Sequence, residues 1–575
     1  ESTISSNRNV NTDGGGIVNS GTLTLTNSTV ANNTSYGAGG GIFTDGTLIV
    51  VGSTISGNTV STPNLDYGLG GGLMAYGSGS VTLKNSTISG NTSAEGGGIY
   101  AQLPNGITLV NTTIANNTAA SGRGGGATGS SNTVWNFSNS LLANNRLNTV
   151  EGGDFFSNGA GVNLLSTNLI ERSDLSSSSS LISNLDPQMS ALGDYGGLTQ
   201  THFLLLGSPA LDRGDNSLAT DLTTDQRGGI RTIGAAIDLG AVEFQGINLS
   251  PIAGNNQSTV VNTAFRTPLS VRATEATFGN PLQGVVTFST PTTGPSATGP
   301  SATGLSATGP SATLATTSVT LDSTGRASTT ATANTIAGAF SVLASLDGTS
   351  TSLSLTNLAD APHSLIILDG NNQVTTVNRS FSQALSLQVS DRYGNPIPNA
   401  TLILSAPSTG ASGQNPNLSL STNDLGIAST DYRANTIAGR YTVNTAVAET
   451  RLSTALNLTN VADVASVLTI DTGNNQSTPL AQSFPDRLTV RVTDQYDNPI
   501  AGVTVNFTVQ QGETGASGLL SQTSGTSDAN GLVSTTLTAN RQPGSFQVIA
   551  STTGSSTTGT PQVIANLANT GTNTD

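Results

Sequence analysis

The chain is 575 residues long, with 34 Asp and Glu against 19 Lys and Arg and a formal net charge of −15. That length predicts several domains, and the acidic balance repels phosphate, which argues against nucleic-acid binding. Only 9% of residues are charged and none is cysteine, so charge-driven disorder, disulfides, thiolate metal sites and cysteine nucleophiles are all excluded.

What remains is glycine-rich, with one lysine (Lys84), one Trp and abundant Ser, Thr and Asn, the composition of an extended all-β surface protein. No run of 18 apolar residues is present, so no segment reads as a membrane span. The first residues, Glu1-Ser2-Thr3-Ile4-Ser5-Ser6-Asn7, already lie within a repeat, which predicts a processed or truncated chain with its export signal upstream.

Repeats organise the first third of the chain. Gly-Gly-Gly followed by an apolar residue recurs at 14–17, 39–42, 70–73, 96–99 and 124–127. A second motif follows each, at Asn27-Ser28-Thr29-Val30, Gly52-Ser53-Thr54-Ile55, Asn85-Ser86-Thr87-Ile88, Asn111-Thr112-Thr113-Ile114 and Asn139-Ser140-Leu141-Leu142. Counting Ile4, the apolar residue of this motif falls at 4, 30, 55, 88, 114 and 142. The one long interval carries the insert Pro63-Asn64-Leu65-Asp66-Tyr67, expected to bulge from its coil.

Within each coil the apolar period is two, so the short segments are strands. Leu23, Leu48, Val81, Ile107 and Trp135 form one expected column; Leu25, Val50, Leu83, Leu109 and Phe137 form a second. Val30, Ile55, Ile88, Ile114 and Leu142 form a third. One coil cannot bury these residues, but stacked coils place like on like. The glycines permit tight corners with φ > 0. Asn33, Asn58, Asn91, Asn117 and Asn145 mark another corner, where Asn tolerates the left-handed conformation and its amides can stack as a ladder. Six coils at about 4.8 Å each predict a parallel β-helix roughly 30 Å long.

These repeats resemble those of right-handed β-helix proteins, including polymorphic outer-membrane-protein repeats. A later stretch adds a second resemblance: Asp186-Pro187, Gly196-Gly197-Leu198-Thr199-Gln200-Thr201-His202, Gly207-Ser208-Pro209-Ala210-Leu211-Asp212, Thr224-Asp225-Gln226-Arg227-Gly228 and Asp238-Leu239-Gly240-Ala241-Val242-Glu243. It is similar to the ending of choice-of-anchor β-helix proteins, bacterial surface proteins with varied attachment modules. The resemblance implies a C-terminal cap over the last edge of the solenoid.

From about residue 249 a longer repeat begins. Gly254-Asn255-Asn256-Gln257 returns as Gly370-Asn371-Asn372-Gln373 and as Gly473-Asn474-Asn475-Gln476. Leu385–Asp391 matches Leu488–Asp494, and Thr332–Gly338 matches Arg433–Gly439 and Thr538–Gly544. About one hundred residues of alternating short strands per repeat predicts Ig-like sandwiches. Val492–Phe507 resembles bacterial Ig-like domains of the invasin/intimin type, which implies a stacked stalk. The first repeat departs most: Glu275-Ala-Thr-Phe-Gly279 blurs the Asp-x-x-Gly position, and four low-complexity pentads fill 294–313.

The expected architecture is therefore all-β, a right-handed parallel β-helix with a C-terminal cap followed by tandem Ig-like β-sandwiches. Its expected boundaries are 1–170 for the coils, 171–248 for the cap, and 249–361, 362–464 and 465–575 for the sandwiches.

Candidate chemistry is sparse. A polysaccharide-cleaving β-helix needs clustered carboxylates. Before residue 150 the acids are Glu1, Asp13, Asp45, Asp66 and Glu95. Asp13 and Glu95 share the position before Gly-Gly-Gly, but three coils, roughly 14 Å, separate them. His202 with Ser208 and Asp212 could form a hydrolytic arrangement, or His202 could simply pack within the cap signature. His363, in the linker Ala361-Pro362-His363, reads as solvated. Asp212, Asp215, Asp221 and Asp225 could offer oxygens to Ca²⁺, or serve as turn formers. Asp494 and Asp497 are ordinary turn chemistry. Thr29, Thr54, Thr87 and Thr113 form an outward column, as an ice-binding face would, but Ala31, Ser56, Ser89 and Ala115 flank it instead of a second threonine column. No catalytic, cofactor or metal residue is assigned, and no cofactor is expected.

The reading is a non-enzymatic bacterial extracellular surface protein, an adhesin-like β-helix head on an Ig-like stalk. Its expected partner is a glycan or protein on a cell or matrix surface, met near Tyr36, Tyr67, Tyr76 and Tyr100. The alternatives are a subunit of a self-assembling filament or sheath, joined through the solenoid end or the stalk, and a polysaccharide-binding or polysaccharide-cleaving β-helix protein.

Overall fold

The computed structural model describes residues 1–62, 67–148, 150–151, 153–175, 182–291, 309–552 and 561–571. Most of the Pro63–Tyr67 insert and of the pentad insert lies outside the described residues. Among the described residues everything regular is strand, apart from one 3₁₀ turn at Asn216–Leu218.

Each coil of the solenoid contributes four short strands to four walls. In the second coil these are Thr29–Ala31, Thr34–Ser35, Ile42–Thr44 and Thr47–Val51. The walls are parallel ladders apart from one terminal antiparallel pair, Arg146–Leu147 with Val150–Glu151, and the register puts each expected column in line: Leu48 pairs with Val81, Ile107 with Trp135, and Ile55 with Ile88. The walls enclose one continuous apolar core, in which Ile55, Leu83, Ile88, Ile114 and Trp135 are buried. Trp135, Phe137 and Phe155 pack together near its C-terminal end, with Phe155 edge-on to both others at ring separations of 5.2 Å.

The Gly-Gly-Gly corner has two separate causes. The first glycine adopts φ of +63° to +73° in all five copies, where side chains are strained. The second is excluded by close approach: a Cβ on Gly71 or Gly97 would stand 2.4–2.5 Å from a carbonyl of the next coil.

The asparagine corner differs from the expectation in one respect. The left-handed residues are Asn32, Gly57, Gly90, Asn116 and Asn144, each one position earlier than the expected asparagine. Asn33, Asn58, Asn91, Asn117 and Asn145 instead supply the ladder, each Oδ1 accepting the backbone N–H and the Nδ2–H of its counterpart one coil back at 2.9–3.0 Å. The neighbour supplies the turn; the buried amide satisfies the backbone that the turn leaves unpaired. Asp154 ends the series by accepting from Asn145 N and Nδ2 at 2.9 and 2.8 Å.

Three sandwiches follow, each with the same sheet order. The second has a three-stranded sheet of Ser364–Asp369, Leu385–Ser390 and Ile427–Thr430. Its five-stranded sheet runs Gln373–Thr376, Ser453–Val461, Gly439–Val447, Thr401–Ser405 and Asn417–Ser421. Alternating residues such as Leu385, Leu387, Val389, Leu402 and Leu404 face the space between the sheets, the period-two pattern of a sandwich core. The first and third repeat this order from Ile247 and Val467.

Candidate functional site

Residues 186–245 decide which face of the solenoid is available. They were expected to close its end, but their contacts extend along the flank formed by the threonine strands. Thr54 Oγ1 donates to the Gln200 carbonyl at 2.6 Å, and Thr87 Oγ1 donates to Gln226 Oε1 at 2.6 Å. Thr113 Oγ1 accepts from Ala241 N at 2.9 Å. One coil farther along, Asn139 exchanges hydrogen bonds with Asp215 N and O at 2.7 and 3.0 Å. Where Leu141 replaces threonine, Leu204, Ala210 and Leu239 pack on it as a small second core. The threonine column does point outward, but Thr54, Thr87 and Thr113 are buried by this segment and form no free ice-binding surface.

The other candidate residues are placed individually. His202 is 2% exposed and sits between Ser89 Oγ at 2.8 Å and the Ser190 carbonyl at 2.9 Å, with burial holding its pKa below the usual range. Ser208 donates to the Pro187 carbonyl, and Asp212 accepts from Ala235 N and Ala236 N. No hydrogen bond joins His202, Ser208 and Asp212, so the hydrolytic arrangement is not assembled. Asp215 caps the 3₁₀ turn, Asp221 pairs with Lys84, and Asp225 binds Arg227. The four acids weighed as calcium ligands thus have separate partners. Asp13 accepts from Ala38 N, one coil on. Glu95 is half-buried, its pKa raised by burial against the opposing pull of Arg123.

A second wall of the solenoid faces outward with a different chemistry. Register aligns Val18, Phe43, Met74, Tyr100 and Thr128 in one row, between the inward residues of Ile42–Thr44 and their counterparts. Val18 is exposed while Met74 and Thr128 of the same row are buried, and exposed Tyr36, Tyr67 and Tyr76 occur in the same coils. Tyr100 is half-buried near Glu95, and burial, with the Glu95 charge adding to it, raises its phenol pKa. A further open groove of about 610 Å³ lies on the third sandwich, where Gln510, Gln547 and Asn566 present amides beside Glu513.

The residues that sequence reading did not find are structural. Arg227, fully buried, binds Asp225 at 3.0 Å and both carboxylate oxygens of Glu275 at 2.8 and 3.0 Å, joining the flank segment to the first sandwich. Phe278 stacks on the guanidinium at 4.4 Å. Glu275 is the position that blurred the repeat motif; the longer side chain is what reaches Arg227. Arg231 is buried beside Glu243, Asp225 and Asp238, and donates to the carbonyls of Asp238 and Gly240. Burial raises the pKa of both Asp238 and Glu243, and that of Glu243 further through Asp238.

A family model described as a right-handed beta helix region matches residues 1–177, and one described as a bacterial Ig-like domain (group 1) matches 484–565. No curated protein matches the chain. Among solved structures, the Escherichia coli adhesin FdeC is 20% identical over 56% of this chain and 96% of its own, with a TM-score of 0.33. InvD of Yersinia pseudotuberculosis is 13% identical over 54% and 94%, with a TM-score of 0.33. Invasin, a bacterial integrin-binding protein, is 18% identical over 56% and 60%, with a TM-score of 0.27. Among the described residues no helix is long and apolar enough to cross a membrane.

Proposed function

For a chain that is a parallel β-helix followed by bacterial Ig-like sandwiches, we propose a non-enzymatic role at the bacterial cell surface. The solenoid is the adhesive head and the sandwiches are its stalk. The observation that carries this reading is the division of the solenoid surface. Residues 186–245 seal one wall, while Val18 and Tyr76 on the Ile42–Thr44 wall, and Tyr36 and Tyr67 in the connections that lead into it, are exposed. Exposed aromatic side chains on this wall and its entering connections suit recognition of a glycan or protein surface. The absence of enzymatic activity is supported by how the carboxylates are used: Asp13, Asp154, Asp225 and Glu275 each hold backbone or arginine groups of the scaffold.

The test is a binding screen of the purified chain against immobilised glycans and matrix proteins, followed by the triple substitution Tyr36→Ala, Tyr67→Ala, Tyr76→Ala. A ligand bound by the parent and lost at least tenfold in the variant, with the melting temperature unchanged, supports the head. Binding that survives the triple substitution, or turnover of any glycan, overturns it. Fibres with a regular axial repeat in electron micrographs would put the filament reading in its place.

A further inference from the structure

The two junctions between successive sandwiches use one set of hydrogen bonds, repeated residue for residue. Asp391 accepts from Asp360 N at 2.9 Å and from Tyr393 N and Asn395 N at 2.8 and 2.9 Å. Asp494 does the same with Asp463 N, Tyr496 N and Asn498 N at 3.0, 2.9 and 2.9 Å. Each carboxylate also holds the following asparagine, whose Nδ2 donates to it at 2.8 and 2.9 Å. That asparagine reaches into the sandwich before it. Asn395 Nδ2 donates to the Thr335 carbonyl at 2.9 Å while its Oδ1 accepts from Ala337 N at 2.8 Å. Asn498 makes the same pair with the Thr436 carbonyl and Ala438 N at 2.8 and 2.7 Å.

We infer that Asp391–Asn395 and Asp494–Asn498 are a two-point docking clamp that fixes the angle between sandwiches, and that the far pole of the third sandwich has lost the receiver for it. An amide held by its own domain and bonded through both its donor and its acceptor to one loop of the preceding domain restricts rotation in a way one bond would not. Both asparagines and both aspartates are buried, so water competes little for these bonds.

The receiver loop has the same internal bonding in all three sandwiches. Asn334, Asn435 and Asn540 each accept from the N–H two residues on and donate to a glycine carbonyl, of Gly309, Gly410 and Gly515. At the place of Ala337 and Ala438, however, the third sandwich has Pro543, which has no N–H to donate. A second loss accompanies it. Asn378 Nδ2 donates to Tyr496 Oη at 2.8 Å across the second junction, and its counterpart Ala481 keeps the left-handed backbone (φ 58° and 59°) without the amide. Two donors of the receiver are missing from that pole while its fold is retained. The partner it fits is not another domain carrying this clamp.

The test uses the full chain, whose lack of cysteine allows clean labelling. Spin labels at Ser419→Cys and Thr508→Cys, both exposed, report the distance between the second and third sandwiches. The parent is expected to give a narrow distribution. Asn498→Ala and Ala438→Pro should each at least double its width, with sandwich melting retained; Pro543→Ala should leave it unchanged. Ala438→Pro writes the third sandwich's residue into a working receiver, so an unchanged width there overturns the lost-receiver half. An unchanged width in Asn498→Ala, or a broad parent, overturns the clamp. Should Ala438→Pro unfold the second sandwich by circular dichroism, the lost-receiver half fails with it, because the loop would then not tolerate proline as the third does.

Discussion

Asn117→Ala is a strong test of how the solenoid is held together. In the native ladder Asn117 Oδ1 accepts both the backbone N–H and an Nδ2–H of Asn91 at 2.9 Å. Its own Nδ2 donates to Asn145 Oδ1 at 2.9 Å and to the Ile88 carbonyl at 3.0 Å. Alanine keeps the bond from the residue 117 backbone to Asn145 but leaves two buried donors of Asn91 without a partner. At about 1–3 kcal/mol for each buried orphan, the loss is roughly 2–6 kcal/mol. Asn7→Ala is the matched control. Asn7 is exposed and only donates into the ladder, so its loss should stay under about 1 kcal/mol. Trp135 is the sole tryptophan and is buried inside the solenoid, so its fluorescence during denaturant unfolding reports these coils and not the sandwiches. An Asn117→Ala loss within 1 kcal/mol of the Asn7→Ala loss would refute the ladder as a source of stability.

Two further predictions concern buried charge. Burial, opposed by hydrogen bonds from Asn145, raises the Asp154 pKa from 3.8 to about 6. A folded-state pKa above the unfolded one means stability present below about pH 4 and lost as pH rises through 6, about 3 kcal/mol in all. Asp154→Asn keeps an acceptor for Asn145, and should flatten the fall in Trp135-monitored stability between pH 4 and 7; an undiminished fall would show that other groups cause it. Glu275→Gln replaces one of the two carboxylates on the buried Arg227, leaving Asp225 as its counter-charge, and should cost about 1.5–3 kcal/mol. That loss should appear as faster hydrogen exchange through residues 245–290. Asp360→Asn, at a solvent-exposed pair with Arg392, should leave stability almost unchanged. Equal effects from these two variants would contradict the assignment of the Arg227 cluster as a buried lock.

Much of the fold is legible in single residues of the sequence. The Gly-Gly-Gly and Asn-Ser-Thr-Ile repeats specify parallel coils because like must lie on like, and Leu48, Val81, Ile107 and Trp135 line up as counted. The asparagine corner was legible one residue out of place. A paired motif such as Asn32-Asn33 or Gly57-Asn58 divides the left-handed turn and the buried amide between its two residues, and composition alone does not say which does which. The exposed tyrosines were named from the sequence, but that their surroundings stay open was not.

What the sequence by itself determined is the stacking, because a repeated coil carries its own register: the period of the side chains is also the period of the hydrogen bonds. What only the tertiary structure decided is how the non-repeating segment lies on that stack. Gln226 reaches Thr54 and Thr87 across 172 and 139 residues of chain, and Arg227 reaches Glu275 across 48. Nothing periodic links those positions. Their pairing follows from the shapes of two folded surfaces and from the need of each buried polar group to find a partner once they meet.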